Sequence, residues 1–128
     1  MDEKAKYILL AEDDEDDIGF FNDCFIEVCS KLNLLVAKNG RKVLEFLSTG
    51  IVPYCIILDL NMPVMNGQDC LVEIRRQPIL NNTKVVILST SNSDYHMKDC
   101  LLKGADDYFV KPNNIEQLKS LIHHICNY

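Results

Sequence analysis

Four short apolar runs in this chain end in residues whose types suit work on a phosphoryl group. Tyr7-Ile8-Leu9-Leu10-Ala11 runs into Glu12-Asp13-Asp14, and Cys55-Ile56-Ile57-Leu58 runs into Asp59. Val85-Val86-Ile87-Leu88 ends at Ser89-Thr90, and Tyr108-Phe109-Val110 ends at Lys111-Pro112. Clustered carboxylates repel one another, and a divalent cation relieves that repulsion. Mg²⁺ prefers oxygen ligands and keeps several waters, so two or three carboxylates and one carbonyl suffice to hold it. Phosphoryl transfer needs little beyond alignment and neutralisation of charge on the equatorial oxygens. A carboxylate attacking such a dianionic group needs the metal and a cation such as Lys111.

These groups lie up to 99 positions apart in sequence, so the fold has to gather them. A short apolar run bounded by polar residues reads as a buried strand. The end of the first run at Ala11 puts Glu12 and Asp13 at the strand end, with Asp14 the alternative if the strand ran one residue longer. Helical patterns alternate with the strands. Ile18, Phe21, Phe25, Val28 and Leu32 recur at spacings of three and four, with Asp16 or Asp17 as candidate cap. Leu34 to Ala37 reads as a strand, Asn39-Gly40 as a turn, and Arg41 to Ser48 as a helix stopping at Gly50. Gln68 to Gln77 predicts a third helix ended by Pro78. The segment from Asp94 to Lys103 predicts a fourth, closed by Gly104. A last helix, from Asn114 to Cys126, carries Ile115, Leu118, Leu121, Ile122 and Ile125 on one stripe.

Five β-then-α units imply a parallel sheet with helices on both faces. The expected fold is therefore α/β, a flavodoxin-like (βα)5 three-layer sandwich with strand order 2-1-3-4-5. Its switch point lies between the first and third strands, which carry Glu12-Asp13 and Asp59. The chain of 128 residues is expected to form a single domain, 1–128, with no output domain.

Composition narrows the function classes. A net charge of −6 makes a nucleic-acid duplex an unfavourable direct partner. No apolar stretch approaches the roughly 20 residues needed to span a bilayer, and residues 1–4 carry no signal-peptide core. The expected location is cytoplasmic, with reduced thiols. The six cysteines show no zinc spacing, and Cys24, Cys55 and Cys70 fall in apolar patterns as core residues.

Across essentially its whole length the sequence resembles the receiver domain of two-component response regulators. The matching segments are Ile8 to Asp14, Leu58 to Gly67 (with Asp59-Leu60-Asn61-Met62-Pro63), Val86 to Thr90 and Gly104 to Pro112. The resemblance implies that Asp59 accepts a phosphoryl group from a phosphohistidine of a sensor histidine kinase or histidine phosphotransfer protein. It implies Mg²⁺ held by Glu12, Asp13, Asp59 and the backbone carbonyl of Asn61. Lys111 would contact a phosphoryl oxygen, Ser89 would bind the phosphoryl group and move on activation, and Tyr108 would be the aromatic switch. A cis bond at Pro112 would aim the lysine inward. The signal would pass to a downstream effector or a second copy of the chain through the fourth helix, fifth strand and fifth helix.

In this reading the protein is not an enzyme beyond its own phosphorylation and dephosphorylation. Thr90 stands where a small residue is common and narrows access to the acyl phosphate. Two rivals have specific objections. An aspartate-nucleophile phosphohydrolase would carry an acid two residues after the nucleophile, where this chain has Asn61. A flavin phosphate would be repelled by the acidic loop after the first strand.

Overall fold

The computed structural model describes residues 6–128, so the expectation for residues 1–4 lies outside the described residues. Five strands alternate with five helices: β1 (Tyr7–Ala11), α1 (Glu15–Val28), β2 (Asn33–Ala37), α2 (Gly40–Ser48), β3 (Cys55–Leu58), α3 (Gly67–Arg75), β4 (Lys84–Ser89), α4 (Asp94–Leu102), β5 (Asp107–Val110) and α5 (Ile115–Cys126). The strands are all parallel, in the order β2-β1-β3-β4-β5. This is the expected flavodoxin-like topology.

The three central strands are apolar on both sides because both faces are covered. Leu9, Ile56, Leu58, Val85 and Ile87 face one layer, packing with Val43, Leu47, Leu71 and Ile74 of α2 and α3. Ile8, Leu10, Ile57, Val86 and Leu88 face the other, packing with Phe21 and Phe25 of α1 and Ile122 and Ile125 of α5. Alternate side chains of one strand therefore serve different layers. Each fully buried aliphatic side chain contributes roughly 1.5–3 kcal/mol.

All five helices begin at the carboxyl ends of strands, and each opens with a side-chain cap: Asp14, Asn39, Asn66, Ser93 and Asn114. Each cap satisfies an amide that the helix itself leaves free. The α1 cap is Asp14, accepting from the Asp17 amide at 3.0 Å, and not Asp16 or Asp17 as expected. Those two occupy the first turn instead, where the helix dipole favours acids. The third helix is also shorter than expected, ending at Arg75; Pro78 opens a separate 3-10 turn, Pro78–Leu80, that buries Leu80. Strand β2 starts one residue early because Asn33 pairs with Tyr7. No peptide bond among the described residues is cis, so the expected cis bond at Pro112 is corrected to trans.

Strand register prepares the site. Ala11 pairs with Leu58, so the next residues, Glu12 and Asp59, emerge side by side. The Asp59 amide donates to the Ala11 carbonyl at 3.1 Å, and the Glu12 amide to Ala37 at 3.0 Å. After β3 the chain turns tightly: Leu60 and Met62 are buried, Val64 has φ 68°, and the Gly67 amide donates back to Leu60 at 3.1 Å. A Cβ on Gly67 would lie 2.3 Å from the Asp59 carbonyl oxygen and 2.9 Å from Leu60 Cα. Both obstacles are backbone, so relief requires moving the loop that holds Asp59. Gly67→Ala is expected to lower unfolding free energy by about 1–3 kcal/mol, read as a lower urea midpoint with unchanged m-value. A midpoint equal to that of the parent would contradict this close approach.

Candidate functional site

The four strand ends meet in one crevice. Glu12 and Asp59 are 4% and 6% exposed, whereas Asp13 beside them faces solvent. Carboxylate oxygens of Glu12, Asp13 and Asp59 lie within 4.8 Å of one another. Three hard oxygen donors at that spacing suit a small divalent cation. Asp14, the alternative donor, is turned to its capping role on α1. Asn61 is exposed, and its amide donates to Asp59 Oδ1 at 3.2 Å, fixing one carboxylate oxygen in place.

Lys111 enters from the end of β5, where its amide donates to the Ser89 carbonyl at 2.8 Å. Its Nζ donates to Glu12 Oε1 at 2.7 Å, to Asp17 Oδ2 at 2.9 Å and to Asp59 Oδ2 at 3.2 Å. Burial works against the ammonium charge, but the bonds to Glu12 and Asp17 and the Asp59 charge outweigh it and hold Lys111 above its ordinary range. The lysine stays a cation throughout the accessible pH range. Glu12 responds the other way. Burial, aided by the Asp59 charge, pushes its carboxyl up to about 7 despite the Lys111 hydrogen bond.

Ser89 is fully buried at the end of β4, and Thr90 is exposed, so only the former hydroxyl faces the interior. Ser89 Oγ accepts from the Ser91 amide at 3.1 Å. Ser91 is a hub: its carbonyl accepts from the Tyr108 hydroxyl at 2.8 Å, and its Oγ lies 2.7 Å from His96 Nδ1 on α4. Tyr108 is half-buried, on the same sheet edge as Lys111. Of the seven sequence-selected residues the structure joins Glu12, Asp13, Asp59, Asn61 and Lys111 directly; Ser89 is tied to Lys111 through its backbone carbonyl, and Tyr108 is tied to Ser91 and not to the acids. Two participants were missed. Asp17 lies in an acidic run where no acid is distinguishable by type, and Ser91 lies in a polar loop with no periodicity.

The cysteines stand apart from this chemistry. Cys24, Cys55 and Cys70 are buried in the core as expected, and burial pushes the Cys55 and Cys70 thiols up to about 12, far from thiolate formation. No helix among the described residues is long and apolar enough to cross a membrane.

A raised carboxyl has a thermodynamic consequence. Between the ordinary value of 4.5 and about 7 the folded protein holds a Glu12 proton that the unfolded chain has lost. That contribution to stability is fully present below 4.5 and disappears as pH rises through 7. In chelator-treated protein, unfolding free energy from urea titrations should therefore fall less steeply over this window in Glu12→Gln than in the parent. Parallel curves would contradict the buried, proton-binding Glu12.

Comparison with known proteins places this geometry. Residues 8–123 match the family model described as the response regulator receiver domain. The chain is 33% identical over 98 residues to the two-component response regulator ORR3 of rice (Oryza sativa subsp. indica), covering 77% of this chain and 72% of that protein. It superposes on the phosphorylated cyanobacterial phytochrome response regulator RcpA with TM-score 0.86 at 26% identity, covering 95% and 91% of the two chains. The Mn²⁺-bound form of the response regulator Rcp1 gives TM-score 0.84 at 26% identity, covering 96% and 93%.

Proposed function

The chain belongs to the response regulator receiver domain family, and on that premise we propose that it is a phosphorelay receiver whose phosphoacceptor is Asp59. The donor is the phosphohistidine of a sensor histidine kinase or histidine phosphotransfer protein. An Asp59 carboxylate oxygen bonds to phosphorus as the phosphorus–nitrogen bond breaks, and the donor imidazole leaves with the electron pair. The product is an acyl phosphate. The observation carrying this reading is the meeting of Asp59, Glu12 and Asp13 within 4.8 Å, with Lys111 Nζ on two of those acids.

Glu12, Asp13, Asp59 and the Asn61 carbonyl would hold Mg²⁺, which would supply neutralising charge to the phosphoryl oxygens. Two similar solved structures, a phosphorylated and a Mn²⁺-bound response regulator, support that choice of chemistry. Lys111 adds a permanent positive charge, and Asn61 orients Asp59 through its amide. Ser89 turns toward the phosphoryl group and gives up its bond from the Ser91 amide. Ser91 also holds Tyr108 and His96, so the change reaches β5 and the first turn of α4 together. Helix α4 is lightly held, with Cys100 its one buried residue and Tyr95 and Leu102 73% and 88% exposed. A helix with little buried surface shifts at low cost. The resulting face of α4, β5 and α5 is read by an effector or by another copy of the chain. The protein acts catalytically only on its own phosphorylation and dephosphorylation, in the cytoplasm.

The test is direct. With Mg²⁺ and acetyl phosphate, intact mass is expected to rise by one phosphoryl group, and Asp59→Asn or chelation should abolish the rise. Unchanged labelling of the variant would sink the assignment of Asp59.

A further inference from the structure

The lysine at this site has a partner that phosphoryl chemistry does not account for. Of the three acids on Lys111 Nζ, Glu12 and Asp59 belong to the group of acids that can share a cation, and Asp17 does not. Asp17 sits in the first turn of α1, across the crevice from β5, with its side chain 45% exposed. The ammonium lies nearer to it than to Asp59, 2.9 Å against 3.2 Å. Asp17 and Lys111 also line a cavity of about 280 Å³ between α1 and the start of α5, with Phe20, Pro112 and Ile115. Glu12 lines the same cavity, whereas the nearly buried Asp59 lies outside it, so the open volume meets the ammonium on the Asp17 and Glu12 side and not at the phosphoacceptor.

We infer that Asp17 is a positioning residue that draws Lys111 off the phosphoacceptor, so that cation and phosphoryl group bind against opposite demands on the lysine. The inference rests on the receiver reading of the site. A cation shared by Glu12 and Asp59 competes with the ammonium for their charge, and Asp17 gives the ammonium a counter-charge to retain. A phosphoryl group on Asp59 has to win the ammonium back, while the Asp17 carboxylate competes for it and repels the dianion. Asp17 thereby favours the metal-loaded, unphosphorylated protein over the phosphorylated one. The bond is half-exposed, so its weight corresponds to the range of exposed ion pairs, about two- to fivefold in a binding constant.

Asp17→Asn keeps the side-chain shape and the amide that Asp14 caps. It is expected to weaken Mg²⁺ binding about two- to fivefold by isothermal titration calorimetry. At saturating Mg²⁺ it should bind beryllofluoride, a phosphoryl mimic on Asp59, tighter by a similar factor. Asp16→Asn is the control, because it removes the same charge one residue away from a side chain that makes no bond to Lys111. Equal shifts in both variants would mean a general field effect and overturn the inference. So would two affinities in Asp17→Asn that move together or not at all. Thermal melts of both variants show whether α1 still forms; if Asp17→Asn unfolds, Asp17→Ser read by the same pair of titrations decides. Failure of the parent protein to bind beryllofluoride would count against the receiver reading itself, a separate result from equal behaviour of parent and variant.

Discussion

A parallel sheet presents several strand ends on one edge, and here two of those ends bring buried carboxylates into contact. Glu12 and Asp59 sit almost wholly out of water within metal-sharing distance, an arrangement that repulsion and desolvation both oppose. Lys111 makes it tolerable. Its ammonium bonds to both acids from the end of β5, beyond β4, to which the Lys111 amide is tied at the Ser89 carbonyl. The interaction is of the kind in which removing one partner costs more than the pair is worth, because the remaining charges stay buried. A divalent cation shared by Glu12, Asp13 and Asp59, as proposed for this site, would supply two positive charges where Lys111 supplies one.

The rest of the fold works to hold those three groups in register. Two strand pairs adjoining the site end at a site residue or one position before it: Ala11 with Leu58, and Ser89 with Val110. The loop after β3 is fastened twice, by Gly67 on Leu60 and by the Gly40 amide on Met65 at 3.1 Å. Gly40 and Gly67 each lie where a Cβ would strike that loop. The glycines are thus required by close approach, not by positive φ. The five capped helix starts lie on the same edge, and their dipoles add positive potential beside the buried acids.

Much of this was legible in the sequence because strands buried on two faces read as unbroken apolar runs. The residue that follows such a run is then automatically on the functional edge. Glu12, Asp13, Asp59, Ser89 and Lys111 were all found by that rule, and the strand order followed from handedness and the alternation of elements. What was not legible depended on rotation within a helix or on loop conformation. Asp14, Asp16 and Asp17 are chemically near-identical neighbours, and only the start of α1 at Glu15 decides that Asp14 caps while Asp17 reaches Lys111. Ser91 takes part in four hydrogen bonds, with Ser89, Ser93, His96 and Tyr108, in a loop whose composition announces none of them. The isomer at Pro112 is set by tertiary context, and a Lys-Pro dipeptide carries no information about it.

The two edges of the sheet differ in how firmly they are closed, and that difference decides what can move. At the edge away from the site, Arg75 Nε donates to the Gly104 carbonyl at 2.9 Å, Nη1 to Leu80 at 3.0 Å and Nη2 to Asp106 at 2.9 Å. Asp106 also accepts from the Val85 amide at 2.8 Å, so one cluster joins α3, the 3-10 turn, the end of α4 and the start of β4. Helix α4 is therefore pinned where it ends, beside Gly104. Where it begins, it is held by the Ser93 cap and by His96 on Ser91. A close-packed core transmits displacement and does not absorb it. In the proposed phosphorelay, a change in the bonds of Ser89 and Ser91 would therefore act on the amino end of α4, which two side-chain bonds hold, and not on the carboxyl end beside the Arg75 cluster. Tyr95, in the first turn of α4, leaves exposed apolar area at the end that the proposed signal would reach.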